Sequence, residues 1–499
     1  MIARRAQAEM ENSISSDSGQ QATGSSESAY QFTLWLCELA DRVAAAVKQH
    51  TPAAFRYRGA DLERAFKRAA YFLLVNDEQA HEVFLAERRG RPAPALHDAA
   101  ASTELLREYL QGGDPAGAGT VALDPVGRLL GAAARIGGAL RARGPLWALA
   151  IQPKFVDHLL PIVQAAGAPV RFVTFDDPVT EAHVRKAGLR VLNAGAGTQT
   201  LTRSRRSTGL GLVHSHALAF DALWRLMRAQ RPAGVLLSEG NAPVYDIANE
   251  AARLLGIPTL CVQQGWSPIV HTGFRDLRFG SMAVWGEWFA AALAPFNPRQ
   301  RFAVLGNHQI GLAGPKARRP QSVGFFLQRG SRLISEADWQ GMLGLVEYAA
   351  TSLDGARVLV RDHPNAPLTP AELDRLLAHA TVRHAPPGAV SLHAALEECD
   401  IVVSIFSTTI LEAIGAGAMP LIVNVTSMPT YYPDVAAEGA AIEVKDFAAA
   451  RAALAGLWSS GAARHADALE RMQRRLFAAA GADALRRIAA HLREEFRLG

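Results

Sequence analysis

The stretch 234–265, GVLLSEGNAPVYDIANEAARLLGIPTLCVQQG, decides how the chain is read. Gly234 to Leu237 is apolar without alternation, as in a strand buried on both faces of a parallel sheet. Ser238-Glu239-Gly240-Asn241 follows with turn chemistry. Val244 to Leu255 carries apolar residues at helical spacing, Gly256 closes the helix, and Ile257 to Val262 is a second apolar run. Strand, helix, strand predicts a parallel sheet.

The same rhythm extends both ways. Upstream come a strand at Leu146 to Ile151, a helix marked by Phe155, Leu159, Ile162 and Val163, strands at Val170 to Val173 and Leu189 to Leu192, and a helix from Ser215 to Gln230. Downstream, Met282 to Trp285 is another strand. Gly311 to Pro320, rich in Gly, Pro and basic residues (Lys316, Arg318 and Arg319), reads as an interdomain linker. Beyond it a second series begins: strand Ser322 to Leu327, helix Ala337 to Thr351, strand Arg357 to Val360, helix Pro370 to His379, strand Ile401 to Ser404, helix Thr409 to Ala416, strand Pro420 to Val423. The tail from Phe447 is helical and Arg-rich. Ahead of both series, residues 1–29 read as a Ser/Gln/Gly-rich disordered leader rather than a signal peptide. Residues 30–145 form a helical N-terminal section. The expected domains are 146–315 and 316–499, an α/β architecture of two Rossmann-like domains facing across a cleft. A ligand then lies at the carboxyl ends of the strands.

Composition narrows the function. At 499 residues the chain is too long for one core. Lys and Arg number 52 against 47 Asp and Glu, a charge of +5 that suits anionic partners such as nucleotide phosphates. No basic block is interleaved with aromatics, so nucleic acid is not expected. Cys37, Cys261 and Cys399 are far apart in apolar settings, as buried small hydrophobes of a reducing compartment. No apolar run spans a bilayer, and the expected location is cytoplasmic. Two basic amphipathic stretches, Gly131 to Arg143 and Arg471 to Arg497, are candidate surfaces for peripheral contact with the inner membrane. The competing reading packs each against its own domain.

Three places stand where the strand-end rule puts a ligand. Glu239 follows the strand Val235 to Leu237, with Gly240 allowing a sharp turn, and a carboxylate there can deprotonate an acceptor hydroxyl. The competing role is helix-dipole complementarity with the next helix. Arg361-Asp362-His363-Pro364 follows the second domain's second strand. Pro364 keeps His363 extended, so the imidazole can donate to a phosphate on which charge develops. Ile405 to Thr409 joins a strand to a helix, where Ser407, Thr408 and Thr409 and free N–H groups form an anion site. Thr409 and Glu412 also match a capping box. The His residues are scattered, and no metal site or cofactor is expected.

With these residues in view, the chain resembles the GT-B superfamily. Pro232 to Gly265 and Val304-Leu305-Gly306-Asn307 are similar to segments of UDP-N-acetylglucosamine 2-epimerases. Glu239-Gly240, His363-Pro364 and Ser407-Thr408 resemble the acidic-Gly, His-Pro and Ser/Thr motifs of bacterial sialyltransferases and polysialyltransferases. Gln263-Gln264-Gly265 stands where capsule Kdo transferases have Gln-His-Gly. The chain departs from these patterns at Ser238 and Gln264, and it lacks the epimerases' Gly-rich phosphate loop. The resemblance implies an inverting, metal-independent glycosyltransferase of capsule or lipopolysaccharide assembly. The donor would be a CMP-activated ulosonic acid such as Kdo or sialic acid, and the acceptor a bacterial surface glycan or glycolipid. Glu239 and His363 would be catalytic. Arg361, Pro364, Ser407, Thr408, Thr409 and Glu412 would hold the nucleotide, and Gly240, Asn241, Gln264, Gly265 and Arg329 would line the cleft. The alternatives are a nucleotide-sugar 2-epimerase or hydrolase, and a non-catalytic GT-B scaffold.

Overall fold

The computed structural model describes residues 26–75, 77–97, 101–110, 144–195, 208–239, 242–316, 319–329, 334–363, 366–426, 428 and 430–498. Residues 1–25 of the expected leader, Gly131 to Arg143, Gly240, Asn241 and Pro364 lie outside them, and residues 26–29, expected in the leader, belong to the first helix. A helical section comes first: α1 (Ser26–His50), a small hairpin β1 (Arg56–Tyr57) and β2 (Ala60–Asp61), α2 (Glu63–Leu74), α3 (Glu78–Arg88) and α4 (Ala101–Leu110). Its own core is aromatic, built on Phe32, Trp35, Phe66 and Phe84.

The first unit then forms from β3 (Leu146–Leu149), α5 (Pro153–Ala166), β4 (Val170–Thr174), α6 (Pro178–Lys186), β5 (Val191–Asn193), α7 (Thr208–Gln230), β6 (Val235–Ser238), α8 (Pro243–Leu255), β7 (Thr259–Val262), β8 (Ser281–Val284), α9 (Glu287–Leu293) and β9 (Phe302–Val304). Its seven strands are parallel, in the order β5-β4-β3-β6-β7-β8-β9. The second unit holds β10 (Ser322–Phe326), α10 (Glu336–Ser352), β11 (Arg357–Arg361), α11 (Pro370–Leu377), β12 (Val382–His384), α12 (Leu392–Glu397), β13 (Ile401–Ser404), α13 (Thr409–Gly415), β14 (Met419–Val423), β15 (Ile442–Val444), α14 (Phe447–Ser460) and α15 (Ala466–Leu476). Its six parallel strands run β12-β11-β10-β13-β14-β15. The central strands β3, β6, β7, β10, β13 and β14 are buried along their whole length, which is why they lack alternation in sequence.

In both sheets the strand order reverses beside the first strand, between β3 and β6 and between β10 and β13. These are the switch points at which open α/β sheets bind ligands. The sequence reading misses the three-residue strands β9, β12 and β15, because so short an edge strand carries almost no periodic signal.

The chain crosses between units twice. Near Asn307 its backbone N–H donates to Ala479 O (3.0 Å), and Gly481 N donates back to Asn307 O (3.0 Å). Gly306 permits this approach. It has φ +104°, and a Cβ there would lie 2.3 Å from Ala479 O. The expected linker, Gly311 to Pro320, continues along the second unit, where Ala313 N donates to Gly415 O and Lys316 N to Gly417 O. After the second crossing the last helix, α16 (Gly481–Phe496), packs on the first unit rather than within residues 316–499. Ile488, Ala489, Leu492 and Phe496 join Phe155, Leu159 and Ile162 in one core.

Candidate active site

Glu239 follows β6 directly and is buried. Its carboxylate accepts from the backbone N–H groups of Gln264 and Gly265, the latter at 3.1 Å, so it bridges the turns after β6 and β7. Gln263 supports the second turn, accepting from Trp285 N (3.0 Å) and donating to Gly265 O (3.1 Å). Burial raises the Glu239 carboxyl to about 7, against the opposing pull of the two N–H donors, Lys154 and Arg68. A carboxylate has about four acceptor positions, so two backbone donors leave capacity for a substrate proton.

Glu239, Gln264, Gly265, Trp266, His271, Phe274 and Thr408 line a pocket of ≈ 210 Å³. Trp266 and Phe274 rings lie 5.3 Å apart and give it an aromatic wall. Thr408 comes from the other unit. Its hydroxyl accepts from Trp266 N (3.0 Å) and donates to Trp266 O (2.6 Å), and Trp266 Nε1 donates to Tyr432 O (2.8 Å). Thr408 thus clasps the two units together across the mouth of the pocket.

The tetrad after β11 divides its labour. Arg361 is turned to backbone carbonyls, donating to Val390 O (2.8 Å) and Ala385 O (3.2 Å), and so holds the loop after β12. Asp362 is buried, meets His384 Nε2 at 3.0 Å and accepts from Leu368 N (3.1 Å). His363 is half-buried, and desolvation followed by the Lys154 ammonium lowers its pKa below the ordinary histidine value. The imidazole is therefore neutral near pH 7 and still donates one N–H.

Lys154 is the residue the sequence reading misses. It stands in the first turn of α5, directly after β3, at the first sheet's switch point. β3 pairs with β6, Trp147 against Val235 and Ala148 against Leu236, so the turn carrying Lys154 lies beside the one carrying Glu239. Its charge acts on both Glu239 and His363, one from each unit. The signal was present in Gln152-Pro153-Lys154 at the end of a buried strand, but no acidic or His-Pro motif drew attention to it.

Around β13 the expected groups behave differently from one another. Ser407 Oγ donates to Thr409 Oγ1 (2.9 Å) and accepts from Thr409 N (3.2 Å). The expected capping box is absent: Thr408 is the residue preceding the helix, in helical conformation and with no side-chain cap bond, and Thr409 is already helical. Glu412 instead turns inward, is buried, and is raised to about 7 by desolvation, with Arg361 opposing. Gln328 Oε1 accepts from Phe406 N (3.3 Å), bridging the two loops at the second switch point. Arg329, expected to line the cleft, is paired with Glu372 (3.0 Å) and Glu336 (3.3 Å) and lies over the Trp339 ring, tying α10 to α11. Among the described residues no three His, Cys, Asp or Glu side chains converge as a metal-binding group.

No family model matches the chain, and no curated protein matches it. Solved structures do. A protein of Listeria monocytogenes described as a UDP-N-acetylglucosamine 2-epimerase superposes with a TM-score of 0.51 at 14% identity, covering 71% of this chain and 97% of its own. Another UDP-N-acetylglucosamine 2-epimerase gives 0.50 at 12% identity, covering 72% and 98%. MurG of Acinetobacter baumannii gives 0.44 at 15% identity, covering 70% and 99%. At such identities the likeness is one of fold. Two parallel sheets, each with its own switch point, joined by two crossings and preceded by a helical section, give this chain an α/β fold of two Rossmann-like domains, the GT-B fold.

Proposed function

We propose that the protein is an inverting glycosyltransferase that moves a sugar from a nucleotide donor to a glycan acceptor. The observation that carries this reading is a pocket lined by a buried carboxylate, Glu239, and closed by Thr408 of the opposite unit, with Lys154 close enough to act on both Glu239 and His363. In this reading the acceptor sugar rests against Trp266 and Phe274, and Glu239 takes the proton of its attacking hydroxyl. The acceptor oxygen bonds to the anomeric carbon as the carbon–oxygen bond to phosphate breaks, and the nucleotide leaves with that electron pair. His363 donates its N–H to the departing phosphate, where negative charge grows. Thr409, whose hydroxyl accepts from Ser407 Oγ, adds a donor at the start of α13. Arg361 and Asp362 hold the loops around these groups. The motif resemblance favours a CMP-activated ulosonic acid as donor, whose sugar carboxylate suits Lys154, and a bacterial surface glycan as acceptor.

A nucleotide-sugar 2-epimerase is the second reading. It is favoured by a site whose two titratable groups flank one small pocket and need no acceptor. Thermal-shift measurements with CMP, UDP and GDP identify the nucleotide. Incubation of the matching sugar nucleotide with and without a glycolipid acceptor then separates the readings. Acceptor-dependent release of nucleotide supports transfer, acceptor-free turnover supports the epimerase or hydrolase, and no nucleotide binding at all supports a scaffold. Glu239→Gln keeps nucleotide binding and loses transfer, because it removes the base and keeps its shape.

A further inference from the structure

The helical section reaches the site through α2. Arg64 and Arg68 lie one turn apart on it, and both are buried. Both pair with one carboxylate, Asp246 of α8, Arg68 Nε at 3.1 Å from Oδ2. Their remaining donors grip backbone around the pocket. Arg64 Nε donates to Arg275 O (2.8 Å), Arg68 Nη2 to Gly273 O (2.7 Å), and Arg68 Nη1 to Ala242 O (3.5 Å), three residues after Glu239. Tyr71, one turn further along α2, stacks on His271 of the same wall (5.7 Å, 20°).

Two guanidiniums against one carboxylate leave an excess positive charge inside the protein. Such a charge is costly unless an anion compensates it. Burial lowers the pKa of both guanidiniums, and besides their shared partner Asp246, Arg64 feels the exposed Asp276 and Arg68 feels Glu239. The other titratable groups facing Glu239 are Cys261 of β7, Tyr245 of α8 and His271 of the pocket wall, and burial holds all three neutral. The cations that oppose the burial of Glu239 include Lys154 and, from the helical section, Arg68.

We propose that Arg68 is a positioning residue for Glu239: delivered from the helical section, it anchors both loops of the pocket and favours the ionised form of the carboxylate that a base requires. This rests on the reading of Glu239 as the base, and the test needs no substrate. Melting temperatures of the wild type and Glu239→Gln are compared from pH 5 to 9, and their difference isolates the titration of Glu239. A carboxyl with a folded pKa of about 7 and an ordinary value of 4.5 stabilises fully below 4.5. That contribution is lost as pH rises, and the difference levels off once the folded pKa is passed. The levelling point is expected near pH 7 in the wild-type background. Arg68→Gln, which keeps a donor but no charge, moves it up by about one pH unit or more. Arg68→Lys restores it. Arg64→Gln draws Arg68 towards Asp246 and moves it in the same direction, which keeps the test usable if Arg68→Gln does not fold. An unmoved levelling point in the charge-removing variants overturns the proposal, as does a pH-independent difference in the wild-type background. Loss of transfer in Glu239→Gln is scored separately. A Glu239 that titrates as described without being needed for transfer leaves Arg68's charge role standing and removes its catalytic purpose.

Discussion

At the scale of single residues, the site turns on where neighbouring side chains point. Arg361, Asp362 and His363 are consecutive, yet Arg361 and Asp362 brace the neighbouring loops while the Lys154 charge acts on His363. His363→Ala is expected to weaken nucleotide binding and slow transfer. Losing one preorganised donor to a developing anion costs about 2.7–4 kcal/mol, so kcat/KM falls roughly a hundredfold to a thousandfold. Steady-state kinetics beside nucleotide titration checks it, and unchanged kcat/KM removes His363 from the mechanism. The pH dependence follows from Glu239. A base must be deprotonated, and its carboxyl sits at about 7, so kcat/KM should fall as pH drops through that value. Burial and then the Lys154 charge lower the pKa of His363, so its own titration lies on the acid side of the ordinary histidine value. A profile flat from pH 6 to 8 contradicts the assignment of Glu239.

At the scale of elements, the terminal helix shows how an amphipathic pattern is resolved by packing. α16 carries Arg486, Arg487 and Arg493 on one side and Ile488, Leu492 and Phe496 on the other. The apolar side is buried against α5, and Gly234 makes room for the Phe496 ring, since a Cβ there would lie 2.4 Å from it. Arg493 also donates to Ala165 O (2.6 Å) and Ala166 O (3.1 Å). Phe496→Ala should cost about 3–5 kcal/mol, the usual range for emptying an aromatic site in a core. Denaturant unfolding followed by tryptophan fluorescence measures this, and a loss under about 1 kcal/mol means that the helix is not docked as described. The absent capping box at Thr409 teaches a related lesson. The Thr-x-x-Glu pattern was legible, but the helix begins at Thr409 with Thr408 before it, so Glu412 is its fourth residue rather than the third that a capping box needs, and it is buried.

At the scale of the whole molecule, the same packing bears on membranes. Among the described residues no helix is long and apolar enough to cross a bilayer. The apolar residues of the tail, Leu476, Phe477, Ile488 and Leu492, are all buried in the fold. An interfacial helix needs that stripe for insertion. The protein is therefore expected not to float with anionic vesicles through these helices at either low or high salt. Flotation at low salt that is lost in a variant with Arg474, Arg486 and Arg487 replaced by Gln would show a purely electrostatic contact instead.

The sequence by itself determined the architecture. Buried parallel strands read as unbroken apolar runs, and those runs, with the helices between them, were legible from Leu146 to Val423 because burial on both faces leaves a strong local signature. It also put Glu239 and His363 just beyond the carboxyl ends of such strands, where the structure has them. The roles of Lys154, Thr408 and Arg68 were decided only by the tertiary structure. Lys154 matters because β3 pairs with β6, Thr408 because its loop meets Trp266 of the other unit, and Arg68 because α2 packs on α8. Each depends on a contact between residues distant in sequence, where local periodicity carries no information. The helical section read as an appendage of unstated role, and its meaning came from a buried charge that only the folded chain brings beside Glu239.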